Sequence, residues 1–477
     1  MTAIDANQLD TNDIQGNILR GYRKTNARHY ALSVGSPRDA CRLLGLMVGG
    51  DEKAAPQVTR ASDWEDRPDH CVNIGITAEG LSALGVSQSI VDLFPEAFVK
   101  GPTRNASGIG DKGASDPKNW EVGGPNNDVV HLVISVFTQE DRKACMEDIA
   151  TRLLDVFNSH KLRVVWSKEA YTQPDDKVHF GYRDGISQPR IKGASDGLRE
   201  DLQPESEPGE FLLGNDYINQ FGGNFLGDVP NALGANGTFG AFRVLEQDVP
   251  AFEDFLQRAG QRYNLHPELI AAKLMGRWRN GTPLMLAPNL IPDEPDAEGN
   301  PTYRMPTVDD ASLNAFDYES NPDNPTWIND VEGKICPIGS HMRRLNPRGA
   351  LVMGKPHTRR IIRRGMSYGS VYDPENPVNR DEERGLVGYF ICGHLEYQFE
   401  FLMQVWANTD MFTSGIRGSS DPVLGHQPDV GGQFILRTDQ RNDPVIFTDL
   451  PQLVRTRGSV YAFLPGIGGL KFLSKLA

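Results

Sequence analysis

Three short stretches of this sequence hold residue types that could act chemically together. The first, His179-Phe-Gly-Tyr-Arg-Asp-Gly-Ile-Ser-Gln-Pro189, sets Asp184 between Gly181 and Gly185. Glycine permits tight backbone geometry and close approach to a flat ligand, and an acid in such a turn, followed by Ile186, can be presented to an apolar cavity. Its plainer role is to satisfy turn amides. The second, Cys336-Pro-Ile-Gly-Ser-His-Met-Arg-Arg-Leu-Asn-Pro-Arg348, places small residues just before His341. A haem iron needs a neutral imidazole nitrogen, with the other ring nitrogen held by a hydrogen bond; a solitary histidine is more often a satisfied core or surface residue. The third, His357-Thr-Arg-Arg-Ile-Ile-Arg-Arg-Gly-Met-Ser-Tyr-Gly369, reads as a strand. Strand side chains alternate, so Arg359, Ile361 and Arg363 share one face and Arg360, Ile362 and Arg364 the other. If one face lines a cavity, an arginine at its end meets the ligand; the plainer reading is an edge strand with solvated arginines.

The elements that must position these clusters fall into two similar halves. In the first, Val129 to Phe137 is an apolar run of strand length. A capping-box-like start at Thr138 and Asp141 then precedes a helix carrying Cys145, Met146, Ile149, Leu153, Val156 and Phe157 on one side. Leu162 to Trp166 is the next strand. In the second half, Thr238 to Leu245 reads as a strand, and Asp248 caps a helix with Pro250 in its first turn. Leu386 to Cys392 is apolar, Leu395, Phe399 and Leu402 follow at helical spacing, and Val460 to Leu464 is the last strand before a short closing helix. Repeated strand, helix and strand units predict an α+β fold of two ferredoxin-like domains with antiparallel sheets. The expected division is residues 1–190 for the first, 191–236 for a Gly-, Pro- and Asn-rich connection, and 237–477 for the second.

Bulk properties narrow the function classes. The chain of 477 residues carries 49 basic and 63 acidic side chains, a net charge of −14, which leaves no broad basic face for nucleic acid. Five scattered cysteines without a CxxC argue against a disulfide framework and a structural zinc site, and fit a reducing cytoplasm. The opening MTAIDANQLDTNDIQGN lacks a basic region followed by an apolar core, so no secretory leader is expected, and no apolar run is long enough to predict a membrane span. Phosphate loops and HExxH metal motifs are absent from the sequence.

Together the clusters resemble the dye-decolorizing peroxidase family, in its longer bacterial and fungal branch. The GxxDG signature stands as Gly181-Tyr-Arg-Asp184-Gly185, the proximal-histidine segment as Cys336 to Arg348, and the distal-arginine segment as Ile361 to Gly369. Asp13-Ile-Gln-Gly-Asn-Ile18, Glu207-Pro-Gly-Glu-Phe-Leu-Leu-Gly214, Ala271-Ala-Lys-Leu-Met-Gly-Arg-Trp-Arg279 and Gln398-Phe-Glu-Phe401 extend the likeness over nearly the whole chain. Each motif is weak alone; the ordered set is specific. Ser367 departs from the family, which commonly has proline there, and this bears on local backbone rigidity. The tail GGLKFLSKLA does not resemble a nanocompartment-loading peptide.

The resemblance implies a DyP-type dimeric α+β barrel arrangement. It implies a haem b whose iron is ligated by His341, and peroxidase activity toward hydrogen peroxide and aromatic small-molecule reductants through a ferryl intermediate. Asp184 would move the peroxide proton and Arg363 would stabilise the charge of the breaking O–O bond. A carboxylate base implies a mildly acidic optimum for dye oxidation, because an ordinary aspartate titrates near about 3.9. His179, Arg360 and Arg364 compete as partners of a haem propionate, and Asp410 or Asn408 would orient His341 from behind. Tyr389 and Trp406 exemplify surface aromatics that could pass electrons to bulky dyes. Competing readings are a haem carrier that does not turn over and a protein that releases iron from haem. No nucleic-acid or membrane partner is expected, and self-association as a homo-oligomer is left open.

Overall fold

The computed structural model describes residues 9–139, 143–194, 203–215, 225–350, 356–375, 379–437 and 443–476. In the first half, β1 (Asn26–Val34), α1 (Pro37–Val48), β2 (His70–Ile76), β3 (Leu132–Thr138), α2 (Lys143–Ser159) and β4 (Leu162–Tyr171) follow one another. The second half supplies β5 (Thr238–Gln247), α3 (Val249–Tyr263), α4 (Pro267–Met275), α5 (His341–Leu345), β6 (Ile362–Tyr368), β7 (Gly385–Cys392), β8 (Val454–Leu464) and α6 (Ile467–Leu473). Asp141, half of the expected capping box, lies outside the described residues. At α3 the expected cap is present, with the Asp248 carboxylate accepting from the Ala251 N–H at 3.0 Å and Pro250 in the first turn.

Strand order carries the main point. The first half is arranged β4-β1-β3-β2 and the second β8-β5-β7-β6, the same permutation twice, with every neighbouring pair antiparallel. Each half is thus a ferredoxin-like sheet. The two sheets join edge to edge through β2–β8 and β4–β6 into one closed barrel. Closure removes exposed strand edges.

The joins are thin. Only Ile76 and Phe463 are paired at β2–β8, and only Tyr171 and Ser367 at β4–β6. Side chains complete the first join. Gln15 Oε1 accepts from the Ile74 N–H at 2.9 Å, and its Nε2 donates to the carbonyls of Ile74 and Pro465 at 2.8 and 3.0 Å. That is a structural role for the Asp-Ile-Gln-Gly motif. A buried pair also ties the first half to the second, with Arg243 donating to both Asp111 oxygens at 2.8 and 2.7 Å and to Thr456 and Ser459.

Alternation along the strands decides what faces inward. Ala27, Ala31, Val133, Phe137, Phe242, Val244, Ile362, Tyr389, Ile391, Val460 and Ala462 pack inside the barrel. The first-half helices cover the outer face of their sheet, and α3 and α4 cover part of the second. Ile362 therefore faces in, and Arg363, one residue on, faces out, toward the side where β6 meets the long loops.

Candidate functional site

The loop of Asp184 is held by its backbone. Gly181 has φ of 82°, and a Cβ there would lie 2.9 Å from Arg279 Nη1, so glycine is required both for the turn and for the close approach. The Arg183 N–H bonds Arg279 O at 2.8 Å, the Asp184 N–H bonds Asp176 O at 2.9 Å, and Asn314 Nδ2 donates to Ile186 O at 2.9 Å. These contacts leave the Asp184 carboxylate directed out of the turn and 46% exposed, its Oδ1 3.4 Å from Arg363 Nη2. Arg363 Nη2 also donates to Ser187 O at 3.1 Å. The structure thus brings Asp184 and Arg363 together from two distant stretches of chain.

His341 is the first residue of α5, which spans only five residues. A helix that short is not stable alone, and buried arginines anchor it. Arg343 binds Asp330 at 3.0 Å and the Cys336 carbonyl at 2.7 Å. Arg344 donates to the carbonyls of Trp406, Thr409 and Ser419. So His341 is fixed from behind, while its ring is 17% exposed. Its Nδ1 lies 3.1 and 3.0 Å from the two oxygens of Asp421. Its Nε2 takes no hydrogen bond among the described residues.

Asp421 is the residue that sequence reasoning missed. It is fully buried, and its Oδ1 also accepts from the Val423 and Leu424 N–H groups at 2.9 and 2.8 Å. Burial acts to raise its carboxyl pKa, but His341, the Leu424 N–H and Arg344 outweigh it and hold the group below the usual carboxylate range. Asp410 and Asn408, the expected partners of His341, are used elsewhere. Asp410 accepts from the Gly418 N–H at 2.7 Å, and Asn408 bridges Ile109 O, Met403 O and the His426 N–H. The only signal for Asp421 was the turn sequence Ser419-Ser-Asp-Pro422, which reads as a local cap.

The other candidates fall into different places. Arg364 shares the inward face with Ile362, opposite to that of Arg363, and donates to the carbonyls of Asn17 and Ile18 at 2.7 and 3.4 Å. His179 bonds Tyr368 O through Nε2 at 2.7 Å, and burial pushes its pKa down to about 4, leaving a neutral ring. Arg359 has φ of 58° and lies outside β6, so the expected alternation starts only at Ile362. Tyr389 and Trp406 are 2% and 1% exposed, so neither is a surface aromatic. Ser367 makes the sole β4–β6 pair, and its hydroxyl accepts from Gln173 Nε2 at 3.1 Å.

Arg360 donates to Pro204 O at 2.7 Å and to His357 Nδ1 at 3.0 Å, close to the buried Glu210. Burial pushes the Glu210 carboxyl up to about 7, against the opposing pull of Arg360. A carboxyl whose folded pKa is raised binds its proton better in the folded state. Its ionisation therefore costs stability, nothing below about pH 4 and the full amount above about 7, on the order of 3 kcal/mol. Glu210→Gln is expected to raise the thermal midpoint at pH 8 and leave it unchanged at pH 4. An equal gain at both pH values would refute the assignment.

Three features fit a flat, metal-bearing ligand. His341 has one ring nitrogen anchored and the other unclaimed. Asp184 and Arg363 are paired but half-exposed. A Cβ on Gly365, on the Arg363 face of β6, would meet nothing within 4 Å except Val387 O at 3.6 Å.

Residues 13–160 match the model of the DyP dimeric alpha+beta barrel domain. A dye-decolorizing peroxidase of Mycena epipterygia is 28% identical over 98% of this chain and 87% of its own length. A fungal DyP-type peroxidase from Auricularia auricula-judae superposes with a TM-score of 0.78 at 24% identity, covering 98% of this chain and all of that one. A dye-decolorizing peroxidase solved with 2,6-dimethoxyphenol superposes at 0.76 and 26% identity, with the same coverage.

Proposed function

Because this chain is a member of the dye-decolorizing peroxidase family and so a peroxidase, we propose that it oxidises dyes and phenolic compounds with hydrogen peroxide. It does so on a haem b held by His341, with Asp184 and Arg363 acting on the peroxide. The observation that carries this reading is the Asp184–Arg363 pair, a carboxylate 3.4 Å from a guanidinium. A carrier would need the axial histidine but not this pair.

When bound, haem supplies the iron that takes up peroxide and the oxidising power that reaches the dye. The protein does the rest. Asp421 accepts from His341 Nδ1–H, which fixes the tautomer and leaves Nε2 as the ligating nitrogen. Asp184 takes the peroxide proton from one oxygen and returns it to the other, so that the departing oxygen leaves as water. Arg363, held by Ser187 O, stabilises the negative charge that develops as the O–O bond lengthens. His179 is neutral, so Arg360 is the charged candidate we propose for a propionate. All five cysteines are free, and the chain fits a reducing cytoplasm.

The test is the absorption spectrum of the haem-loaded protein before and after one equivalent of hydrogen peroxide, for wild type and His341→Ala. A Soret band that shifts with peroxide in wild type, and is lost with the haem in the variant, is the expected result. A band that peroxide does not move would favour the carrier.

A further inference from the structure

We infer that Gln188 is a positioning residue that ties the Asp184 loop to the backbone of Arg363; this role rests on the reading of the site given above. In an antiparallel strand the N–H and C=O of one residue point to the same side. On β6, Ser367 turns these groups toward β4, where it pairs with Tyr171. Arg363 has the same parity, but β4 offers it no partner. Gln188 takes the missing strand's place. Its Oε1 accepts from the Arg363 N–H at 3.1 Å, and its Nε2 donates to Arg363 O at 3.2 Å. The same carbonyl also receives Arg364 Nη1 at 3.3 Å.

Gln15 makes the matching two-bond contact to Ile74 at the other join of the barrel. The two joins are therefore closed by the same device, but only one of them falls on a site residue. At this one the Ser187 carbonyl also holds the Arg363 guanidinium. The loop thus grips Arg363 at backbone and side chain together. Asp184 sits four residues before Gln188 in that loop, so the carboxylate–guanidinium spacing is set by the amide bridge rather than by the 3.4 Å contact alone.

The amide both donates and accepts, and this suggests the test. Gln188→Leu removes both bonds. Gln188→Glu keeps the acceptor at neutral pH and regains a donor only when protonated. In the haem-loaded protein, Gln188→Leu is expected to lower kcat/KM for hydrogen peroxide by about 10- to 100-fold, the scale of a misplacement near 1 Å. The KM for a phenolic reductant should stay unchanged. Gln188→Glu should be impaired at pH 7 and recover relative to wild type as the pH falls. Amide hydrogen exchange over 362–364 should speed up in Gln188→Leu and be unaffected in Asp184→Asn. If Gln188→Leu does not fold, the pH profile of Gln188→Glu decides. Peroxide reactivity within about twofold of wild type in Gln188→Leu, or a Gln188→Glu deficit that does not change with pH, overturns the positioning role. Arg363→Leu in parallel separates the two claims. If it leaves peroxide reactivity intact, the reading of the site fails and the positioning role with it; if it abolishes reactivity and Gln188→Leu does not lower it, only the positioning role fails.

Discussion

Asp184→Asn is expected to slow the reaction with hydrogen peroxide by about 10²- to 10⁴-fold, the usual contribution of a positioned general acid–base. Affinity for the dye and thermal midpoint should change little, because Asp184 is half-exposed and its loop is held by Arg279 O, Asn314 and Asp176 O rather than by its carboxylate. Arg363→Leu should cost about 10²- to 10³-fold by removing a fixed charge from the place where negative charge develops. The two losses should not add. With the base gone, the arginine has less charge separation to stabilise, so the double variant should be little worse than the poorer single one. Stopped-flow rates of the Soret change against peroxide concentration measure all of this. Full additivity, or an Asp184→Asn rate near wild type at pH 5, would mean that the pair does not act as a unit.

What could be read in advance follows the range of the interactions. The repeated strand–helix–strand units were legible because periodicity and capping are local. The barrel was implied only by the family resemblance and not by periodicity, since its closure depends on single pairs, Ile76 with Phe463 and Tyr171 with Ser367, between strands far apart in the chain. At the site, Asp184 and Arg363 stood out by residue type, but their contact is a product of the fold. Arg343 and Arg344 stood in the histidine segment without a reading of their own. They are buried anchors for a helix too short to hold itself. Gln15 and Gln188 stood inside motifs that were legible, but their role was not, because an amide side chain that replaces a strand is visible only once the missing strand is known. For Arg364 the alternation was legible, but which face points into the barrel was not.

Asp421 gives the sharpest case, and the second large effect. It lies 80 positions from His341 and does two jobs with one carboxylate. It caps the turn at Val423 and Leu424, and it fixes the imidazole. Asp421→Ala should therefore lower haem affinity by about 10- to 100-fold, the usual result of losing the outer partner of a ligating histidine. It should also destabilise the apoprotein, since two turn amides lose their acceptor. Asp421→Asn separates the functions. The amide oxygen can still accept from His341 Nδ1–H or from the turn, but it carries no charge. Haem should then bind more tightly than in Asp421→Ala, and the iron reduction potential should rise relative to wild type, because a less electron-rich imidazole favours the reduced metal. Haem transfer to apomyoglobin reports the affinity, and a redox titration followed at the Soret band reports the potential. Asp421→Ala with wild-type haem retention, or Asp421→Asn with an unchanged potential, would show that the carboxylate serves the turn alone and that the tautomer of His341 is set by something other than its buried neighbour.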